Sequence, residues 1–229
     1  MGPLFQDRVD AGKFLAKKLI HHSDDPSLLV LALPRGGVPV AFQVVEELNA
    51  TLDVFVVRKL GVPGYEELAM GAIASGGVRV LNQEIIQRLN IPNSAIEAVT
   101  REEELELDRA ETAFRDGREP AQIEGRTVIL VDDGLATGAS MRVAVRALRQ
   151  KNPAYVTVAV PIGSKDTCDQ FRGEVDELIC GETPEPFFAV GTWYANFLPT
   201  TDDEVKRLLN HAAHERRVRR VQEQKAMAH

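Results

Sequence analysis

Three features are scarce in this sequence of 229 residues: cysteine, positive net charge and long apolar runs. The two cysteines, Cys168 and Cys180, have neither CxxC spacing nor a histidine partner nearby, which predicts a reduced protein of the cytoplasm. The formal net charge of −7 argues against general nucleic-acid binding, because a phosphate backbone attracts basic surfaces. No apolar run approaches the ~20 residues of a membrane-spanning helix, and the first residues lack the pattern of a secretory signal. We therefore expect neither nucleic acid nor a membrane as a partner.

The composition that is present, 44% hydrophobic and 27% charged residues, is that of a folded globular chain. Short apolar runs alternate with helical patterns, of which the first covers residues 5–20. The apolar runs lie at residues 28–33, 54–57, 128–131, 155–160 and 175–180. Continuous apolar runs suit strands of a parallel sheet that helices cover on both faces. The sequence thus predicts an α/β fold, a Rossmann-like and mostly parallel sheet with flanking helices, in a single domain over residues 1–229.

Two stretches in the first half of the chain interrupt this alternation. Residues 59–81 combine a glycine- and proline-punctuated loop with a hairpin whose predicted turn is Ser75-Gly76-Gly77. Residues 82–118 are a predicted helical insertion, in which Ser94 and Glu97 have capping-box spacing. The many acids of this insertion indicate a solvated face rather than a metal cluster.

The C-terminal part differs from the rest in composition. Residues 183–200 are an irregular aromatic segment. Residues 201–229 open with a second capping box, Thr201 and Glu204, which predicts a helix. The end of this helix is basic whereas the body of the chain is acidic. We interpret it as an exposed helix end, with a self-association or docking helix as the alternative.

The most informative segment, VILVDDGLATGAS, covers residues 128–140. A buried strand delivers Asp132 and Asp133 to its carboxyl end, where open α/β sheets bind ligands. The backbone N–H groups at the start of the next helix can surround a phosphate, which the helix dipole also favours. Gly134 and Gly138 let the backbone bend tightly between the two. The segment predicts a ligand with hydroxyls and a nearby phosphate, such as a ribose 5-phosphate; the alternative is a strand end whose acids only cap a turn.

This segment resembles the phosphoribosyl pyrophosphate (PRPP) motif of type I phosphoribosyltransferases, in which two acids and a small-residue TG loop follow an apolar strand. The segments PRGG and RKLGVPG are similar to those of an uncharacterised bacterial group of predicted phosphoribosyltransferases. The resemblance runs from the first helix through the aromatic segment. It implies a mostly parallel core sheet and a small hood, residues 183–200, that covers a nucleobase.

The resemblance also implies a role for each piece. Asp132 and Asp133 would accept hydrogen bonds from the ribose 2- and 3-hydroxyls and hold Mg²⁺, directly or through water. Residues 33–37 match the pyrophosphate loop, with Pro34-Arg35 or Arg35-Gly36 as the candidate cis peptide, and residues 61–70 match a mobile flap. The residues assigned to PRPP are Arg35, Gly36, Gly37, Asp132, Asp133, Gly134, Ala136, Thr137, Gly138, Ala139 and Ser140. Those assigned to catalysis are Arg35, Arg58, Lys59, Asp132 and Asp133.

The implied activity is Mg²⁺-dependent transfer of the 5-phosphoribosyl group of PRPP to a nitrogenous base, with release of pyrophosphate. A non-catalytic protein that senses PRPP or a nucleotide is the first alternative, and a hydrolase of phosphorylated sugars is the second. Ala136 stands where 6-oxopurine-specific relatives have an aspartate, which disfavours hypoxanthine and guanine. Trp193 and Tyr194 offer stacking faces for a base, although such aromatics also plug the end of a sheet. A homodimer is a further open expectation, because relatives are commonly dimers.

Overall fold

A computed structural model describes residues 2–23 and 25–227, so the last two residues of the predicted helix 201–229 lie outside the described part. Its helices are α1 (Arg8–Lys18), α2 (Gly37–Leu48), α3 (Gln83–Arg88), α4 (Asn93–Arg115), α5 (Ala139–Arg149), α6 (Lys165–Phe171) and α7 (Asp202–Met227). Its strands are β1 (Leu29–Ala32), β2 (Thr51–Val54), β3 (Val57–Val62), β4 (Tyr65–Ala74), β5 (Val78–Leu81), β6 (Thr127–Val131), β7 (Tyr155–Ile162) and β8 (Glu177–Glu182). Two short 3-10 turns cover Ile20–His22 and Val190–Trp193.

The central sheet has five parallel strands in the order β2-β1-β6-β7-β8, which confirms the predicted α/β fold. Alternate residues of β1 and β6 enter two separate cores. Val30 and Ile129 pack with α1, α2 and α7, whereas Leu31 and Leu130 pack with α5 and Phe171 of α6. Helices cover both faces, so these strands are apolar at every position rather than at every second one.

A second sheet has three antiparallel strands in the order β3-β4-β5. The predicted strand 54–57 is wrong, because the chain leaves the central sheet after Val54 and enters β3 at Val57. The predicted loop over residues 59–70 is also wrong, since β3 and β4 pair there as a hairpin. The chain reverses at Pro63 and Gly64, where glycine tolerates the positive φ of 79°. The predicted turn at residues 75–77 is confirmed between β4 and β5.

Residues 83–115 form two helices, as the sequence predicts for the insertion, but with a different cap. Helix α4 begins at Asn93 after Pro92, so the capping box at Ser94 is wrong. The side-chain cap belongs instead to α3, where Asn82 accepts from the backbone N–H of Ile85 at 3.2 Å. The cap predicted for the last helix is confirmed, because Thr201 Oγ1 accepts from the Glu204 N–H at 3.2 Å.

Helix α7 divides into a packed part and an exposed part. Its first turns bury Val205, Leu209 and Ala212 in the core that α2 shares. Val218 and Val221, farther along, are exposed. The packed part fixes the start of α7 beside the loop that follows β1.

The expectation that both cysteines are reduced is wrong, because Cys168 of α6 and Cys180 of β8 form a disulfide with their Cα atoms 6.4 Å apart. The sequence separation of 12 matches no recognised motif, and only the packing of α6 against β8 brings the two thiols together. The cytoplasmic location therefore loses its support from cysteine and stays a prediction. Within residues 2–23 and 25–227, no helix has the length and apolar character to cross a membrane.

Candidate functional site

The predicted pyrophosphate loop and the acid pair lie against each other at the carboxyl edge of β1 and β6. The Leu33 N–H donates to the Val131 carbonyl at 2.9 Å, which extends the pairing of the two strands past their ends. A Cβ atom on Gly36 would lie 2.0 Å from Asp133 Oδ2, and one on Gly37 would lie 2.7 Å from the Val131 carbonyl oxygen. Glycine is thus required at both positions by contact with the acid-bearing strand.

The peptide between Pro34 and Arg35 is cis, which is one of the two positions predicted. The Arg35 side chain is exposed and pairs with Asp202, at the start of α7, with Nε and Oδ1 2.7 Å apart. The pyrophosphate loop is consequently linked to the first turn of the C-terminal helix. Nothing in the sequence signals this pair.

Asp133 is held by a residue that the sequence analysis missed. Arg8, in the first turn of α1, places Nε and Nη2 each 2.8 Å from Asp133 Oδ2. Its Nη1 donates to the Leu198 carbonyl at 2.8 Å, and the guanidinium lies 4.0 Å from the centre of the Phe197 ring. The hydroxyl of Tyr194 donates to the Asp133 backbone carbonyl at 2.6 Å. Arg8 and the aromatic segment together fix the position of Asp133.

Burial disfavours the charged forms of both carboxyl groups of the acid pair. Burial raises the pKa of Asp132 well above its usual range, and the charge of Asp133 raises it further. Burial also raises the pKa of Asp133, although the charge and hydrogen bond of Arg8 act in the opposite direction. A cation bound here would stabilise the charged forms of both carboxylates and so offset the cost of their burial.

In the loop that follows the acid pair, Gly134 and Gly138 lie close to other side chains, whereas Ala136 and Thr137 between them are exposed. A Cβ on Gly134 would collide with Val190, and Gly138 has a φ of 72° with the Phe171 ring 2.5 Å from its added Cβ. Helix α5 begins directly after Gly138. The other four residues of this loop that were assigned to PRPP lie just before the helix or in its first turn: Ala136, Thr137, Ala139 and Ser140. The loop thus has the shape that phosphate binding at a helix N-terminus requires.

Support for this loop comes from α6. The Thr167 hydroxyl donates to the Ala136 carbonyl at 2.6 Å, and Ser164 N–H donates to the Leu135 carbonyl at 2.8 Å. Thr167 precedes Cys168, so the disulfide holds the helix that carries this contact.

The structure does not bring the predicted cations of β3 to the acid pair. Arg58 Nε lies 2.7 Å from Glu103 Oε2 of α4, and Lys59 is exposed. Both residues belong to the hairpin whose tip carries Tyr65, with 72% of its surface exposed. The predicted flap is therefore a two-stranded hairpin that stands out from the core.

The aromatic pair predicted to contact a base lies inside the protein. Trp193 and Tyr194 are only 6% and 4% exposed, and Tyr194 packs on the rings of Phe5 and Phe197. Among the described residues, Trp193 Nε1 is a buried donor with no hydrogen-bond partner. A role for either residue in binding a base stays a prediction.

An open parallel sheet with two acids at its carboxyl edge, a helix start behind them and a glycine loop beside them defines an α/β protein with a candidate ligand site at that edge. The profile of the family described as "Phosphoribosyl transferase domain" matches residues 64–192. The chain belongs to this family, which confirms the resemblance found in the sequence.

Two relatives match most of the chain. "Putative phosphoribosyl transferase Rv0571c" of Mycobacterium tuberculosis (strain ATCC 25618 / H37Rv) is 48% identical over 209 residues, which cover 91% of this chain and 47% of the relative. The chain thus spans about half the length of this curated relative. The crystal structure of TT1426 from Thermus thermophilus has a TM-score of 0.79 and 38% identity, and the match covers 91% of this chain and 98% of that one.

A more distant similarity is to "Bifunctional protein PyrR" of Chloroflexus aurantiacus (strain ATCC 29366 / DSM 635 / J-10-fl). It is 30% identical over 131 residues, which cover 56% of this chain and 66% of the relative.

Proposed function

We propose that this protein is an Mg²⁺-dependent phosphoribosyltransferase that transfers the 5-phosphoribosyl group of PRPP to a nitrogenous base and releases pyrophosphate. The observation that supports it most is the direct contact between the Gly36-Gly37 loop and the Asp132-Asp133 pair. In this arrangement, one end of the site presents carboxylates to ribose hydroxyls. The backbone N–H groups of Gly37 and Val38 donate within the adjacent loop, so those of Arg35 and Gly36 are the proposed donors to the leaving pyrophosphate.

The displacement at ribose C1 develops positive charge on the sugar and negative charge on the leaving group. Asp132 and Asp133 accept hydrogen bonds from the ribose hydroxyls. They lie beside the sugar, on which positive charge develops. The 5-phosphate binds the N–H groups at the start of α5, which hold the sugar in one orientation. Closure of the hairpin over the site would exclude water, which competes with the base as nucleophile.

The cations for pyrophosphate are Arg35, Arg58 and Lys59. Arg35 and Arg58 are held by Asp202 and Glu103 through partly exposed ion pairs. Exposed pairs of this kind contribute about 0–1 kcal/mol, so a pyrophosphate can replace either carboxylate as partner. We infer that Arg35 and Arg58 leave these acids when PRPP binds.

The donor set at the acid pair fits Mg²⁺, because it consists of two adjacent carboxyl groups, and carboxylate oxygens are ligands that this ion accepts. Asp132 and Asp133 would hold the ion, directly or through water. When bound, it neutralises charge on the pyrophosphate oxygens.

The proposed acceptor is a nitrogenous base other than a 6-oxopurine. Ala136 stands where 6-oxopurine-specific relatives have an aspartate, and it supplies no carboxylate. Trp193 and Tyr194 are the proposed wall of its site. Because both residues are almost fully buried, contact with a base requires the aromatic segment to move and uncover them. A cytoplasmic location and a homodimer are further parts of this proposal.

A PRPP-sensing protein without transferase activity is the second candidate. The pairing of Arg58 with Glu103 favours it, because a cation needed to stabilise the leaving pyrophosphate is held by another carboxylate. The two candidates share the binding site and differ in whether pyrophosphate is released.

The deciding experiment measures pyrophosphate release from PRPP and Mg²⁺ with pooled purine and pyrimidine bases and with no base. We expect base-dependent release that falls at least ~1000-fold in the double variant Asp132→Asn/Asp133→Asn. Asp169→Asn is the matched control, because Asp169 is an exposed acid of α6 that pairs with Lys165.

Each other outcome selects a different function. No release, with PRPP still raising the melting temperature of the wild type but not of the double variant, indicates a sensor. Release without a base indicates a hydrolase. PRPP binding that the double variant retains would show that the site is wrongly assigned.

A further inference from the structure

A cluster of two histidines and a glutamate lies at the opposite end of the central sheet from the acid pair. His21 Nε2 is 2.9 Å from Glu177 Oε1, and His22 Nε2 is 2.7 Å from Glu177 Oε2. One ligand atom from each of the three residues lies within 4.8 Å of the other two. The two imidazole rings have their centres 4.3 Å apart. Three groups of the kind that bind transition metals therefore converge on one point.

The backbone fixes all three positions. His21 and His22 belong to the 3-10 turn after α1, in which the His22 N–H donates to the Leu19 carbonyl at 2.9 Å. Glu177 is the first residue of the edge strand β8. The buried Thr157, in the neighbouring strand β7, lies with Oγ1 3.0 Å from Glu177 Oε2. The Thr157 hydroxyl thus orients the Glu177 carboxylate, as residues behind a metal ligand commonly orient that ligand.

The charges around the cluster also suit a cation. Although burial acts to raise it, hydrogen bonds from His22, Thr157 and His21 keep the pKa of Glu177 below its usual value. Glu177 is therefore ionised at neutral pH. Asp25 lies close enough for His22 to lower the pKa of its carboxyl, after the larger effects of its hydrogen bonds to Ser27 and Thr127. The carboxylate that contacts both imidazoles is that of Glu177.

We propose that His21, His22 and Glu177 form a binding site for a divalent transition metal of the Zn²⁺ type. A His₂Glu set with water in the fourth position is an established zinc ligand set. Zinc bonds of about 2.0–2.1 Å place tetrahedral ligand atoms about 3.3 Å apart. The present nitrogen–oxygen distances are about half an ångström shorter and run to opposite oxygens of Glu177, so the side chains must rotate to bring one oxygen and both nitrogens around the ion. Each histidine then carries its proton on Nδ1 and binds through Nε2.

The site lies away from the proposed active site. Glu177 starts β8 and the histidines precede β1, so the cluster lies at the amino edge of the parallel strands. The ion would join the α1–β1 connection to the edge strand, which is otherwise paired on one side only. It would add stability to the folded chain and leave the carboxyl edge unchanged.

The test uses untagged full-length protein treated with chelator and returned to a buffer with millimolar Mg²⁺, which competes for oxygen-only sites. ZnCl₂ is titrated against a chromophoric chelator, and Co²⁺ serves as a spectroscopic probe of tetrahedral coordination. We expect one equivalent of Zn²⁺ per chain, and a melting temperature raised by roughly 5–10 °C at a hundredfold excess over Kd. His22→Gln, whose amide can still donate to Glu177, weakens binding roughly tenfold or more.

His21→Gln is a second variant at a more exposed position, in case His22→Gln does not fold. His211→Gln is the matched control, because His211 forms a pair with Glu215 along one helix, at 3.9 Å. It leaves zinc binding unchanged. The proposal is overturned if the wild type binds no zinc, or if both cluster variants bind it as tightly as the wild type. It is also overturned if binding is lost only in Asp132→Asn/Asp133→Asn.

Discussion

The two sheets of this protein differ in how firmly their residues are held. The central sheet is parallel, and β1 and the last four residues of β6 are buried throughout. The small sheet is antiparallel, and the first four residues of β4 are exposed. The acid pair and the glycine loop belong to the central sheet, whereas Arg58, Lys59 and the hairpin tip belong to the small one. The proposed site is thus made of a rigid half and an exposed half.

We therefore assign substrate binding to the central sheet and closure over the substrate to the hairpin of the small sheet. Groups that recognise the sugar must keep their positions before the substrate arrives, and buried strands provide that. Groups that enclose the substrate must move, and exposed segments with few buried contacts open at low cost in free energy. Changes in the central sheet should therefore cost stability or binding, and changes in the hairpin should alter turnover.

The largest effect on stability is expected in β6. Ile129 is fully buried between Val30 and Thr157 of the neighbouring strands. Ile129→Ala should lower the free energy of unfolding by about 4 kcal/mol, through lost transfer free energy and a cavity. Urea denaturation measures this. Ile129→Val is the graded control, with an expected loss of about 1 kcal/mol. Equal losses in the two variants would contradict close packing at this position.

The central sheet was largely predictable, and the small sheet was not. In a chain where apolar runs alternate with helical patterns, a short continuous apolar run such as residues 128–131 predicts a strand that is covered on both faces. Residues 59–70 contain glycine and proline, which mark turns as readily as loops. Their strand character comes from pairing between β3 and β4 and from packing on α4, which no local pattern reports.

The site shows the same division. The acid pair could be placed because it directly follows an apolar strand in sequence, whereas the glycine loop and two candidate positions for the cis peptide came from the family resemblance. Arg8 reaches Asp133 across 125 positions, and the partners of Arg35 and Cys168 are as hard to foresee. Ion pairs and disulfides between distant segments depend on the tertiary fold, so a single sequence carries no signal for them.

The next largest effect is expected at Gly36, within the rigid half. Its φ of −61° is open to any residue, so contact alone requires glycine there. Gly36→Ala places a methyl group 2.0 Å from Asp133 Oδ2 and must displace the carboxylate or the loop. A displacement of about 1 Å should lower the proposed transferase kcat/KM about 100-fold. Gly173→Ala, with no atom within 4 Å of the added Cβ, is the control and should retain full activity. Full activity in Gly36→Ala would refute the contact.

A smaller effect is expected at Asp132, where a substitution should raise the stability of the protein rather than lower it. Burial and the charge of Asp133 raise its pKa above the unfolded value, so its favourable contribution is complete only below about pH 4. That contribution is lost as the pH rises through the folded pKa. Asp132→Asn keeps an oxygen for the Asp133 N–H and removes the charge. The variant should melt at a higher temperature than the wild type at pH 7.5, and the difference should shrink as the pH falls toward 4. A lower melting temperature at pH 7.5 would contradict the raised pKa.

The smallest effect on stability is expected at the hairpin tip, which completes the contrast between the two halves. Leu68 of β4 is 43% exposed, so Leu68→Ala should change the free energy of unfolding by less than about 0.5 kcal/mol. If the hairpin covers bound PRPP, Leu68 becomes buried only in the closed state. The variant should then lower kcat/KM roughly three- to tenfold, the equivalent of losing about 1 kcal/mol of apolar burial on closure. Leu105→Ala, on the exposed face of α4, is the control and should change neither quantity. A Leu68→Ala enzyme with unaltered kinetics would show that the tip stays outside the site, and a marked loss of stability would show that it is already packed.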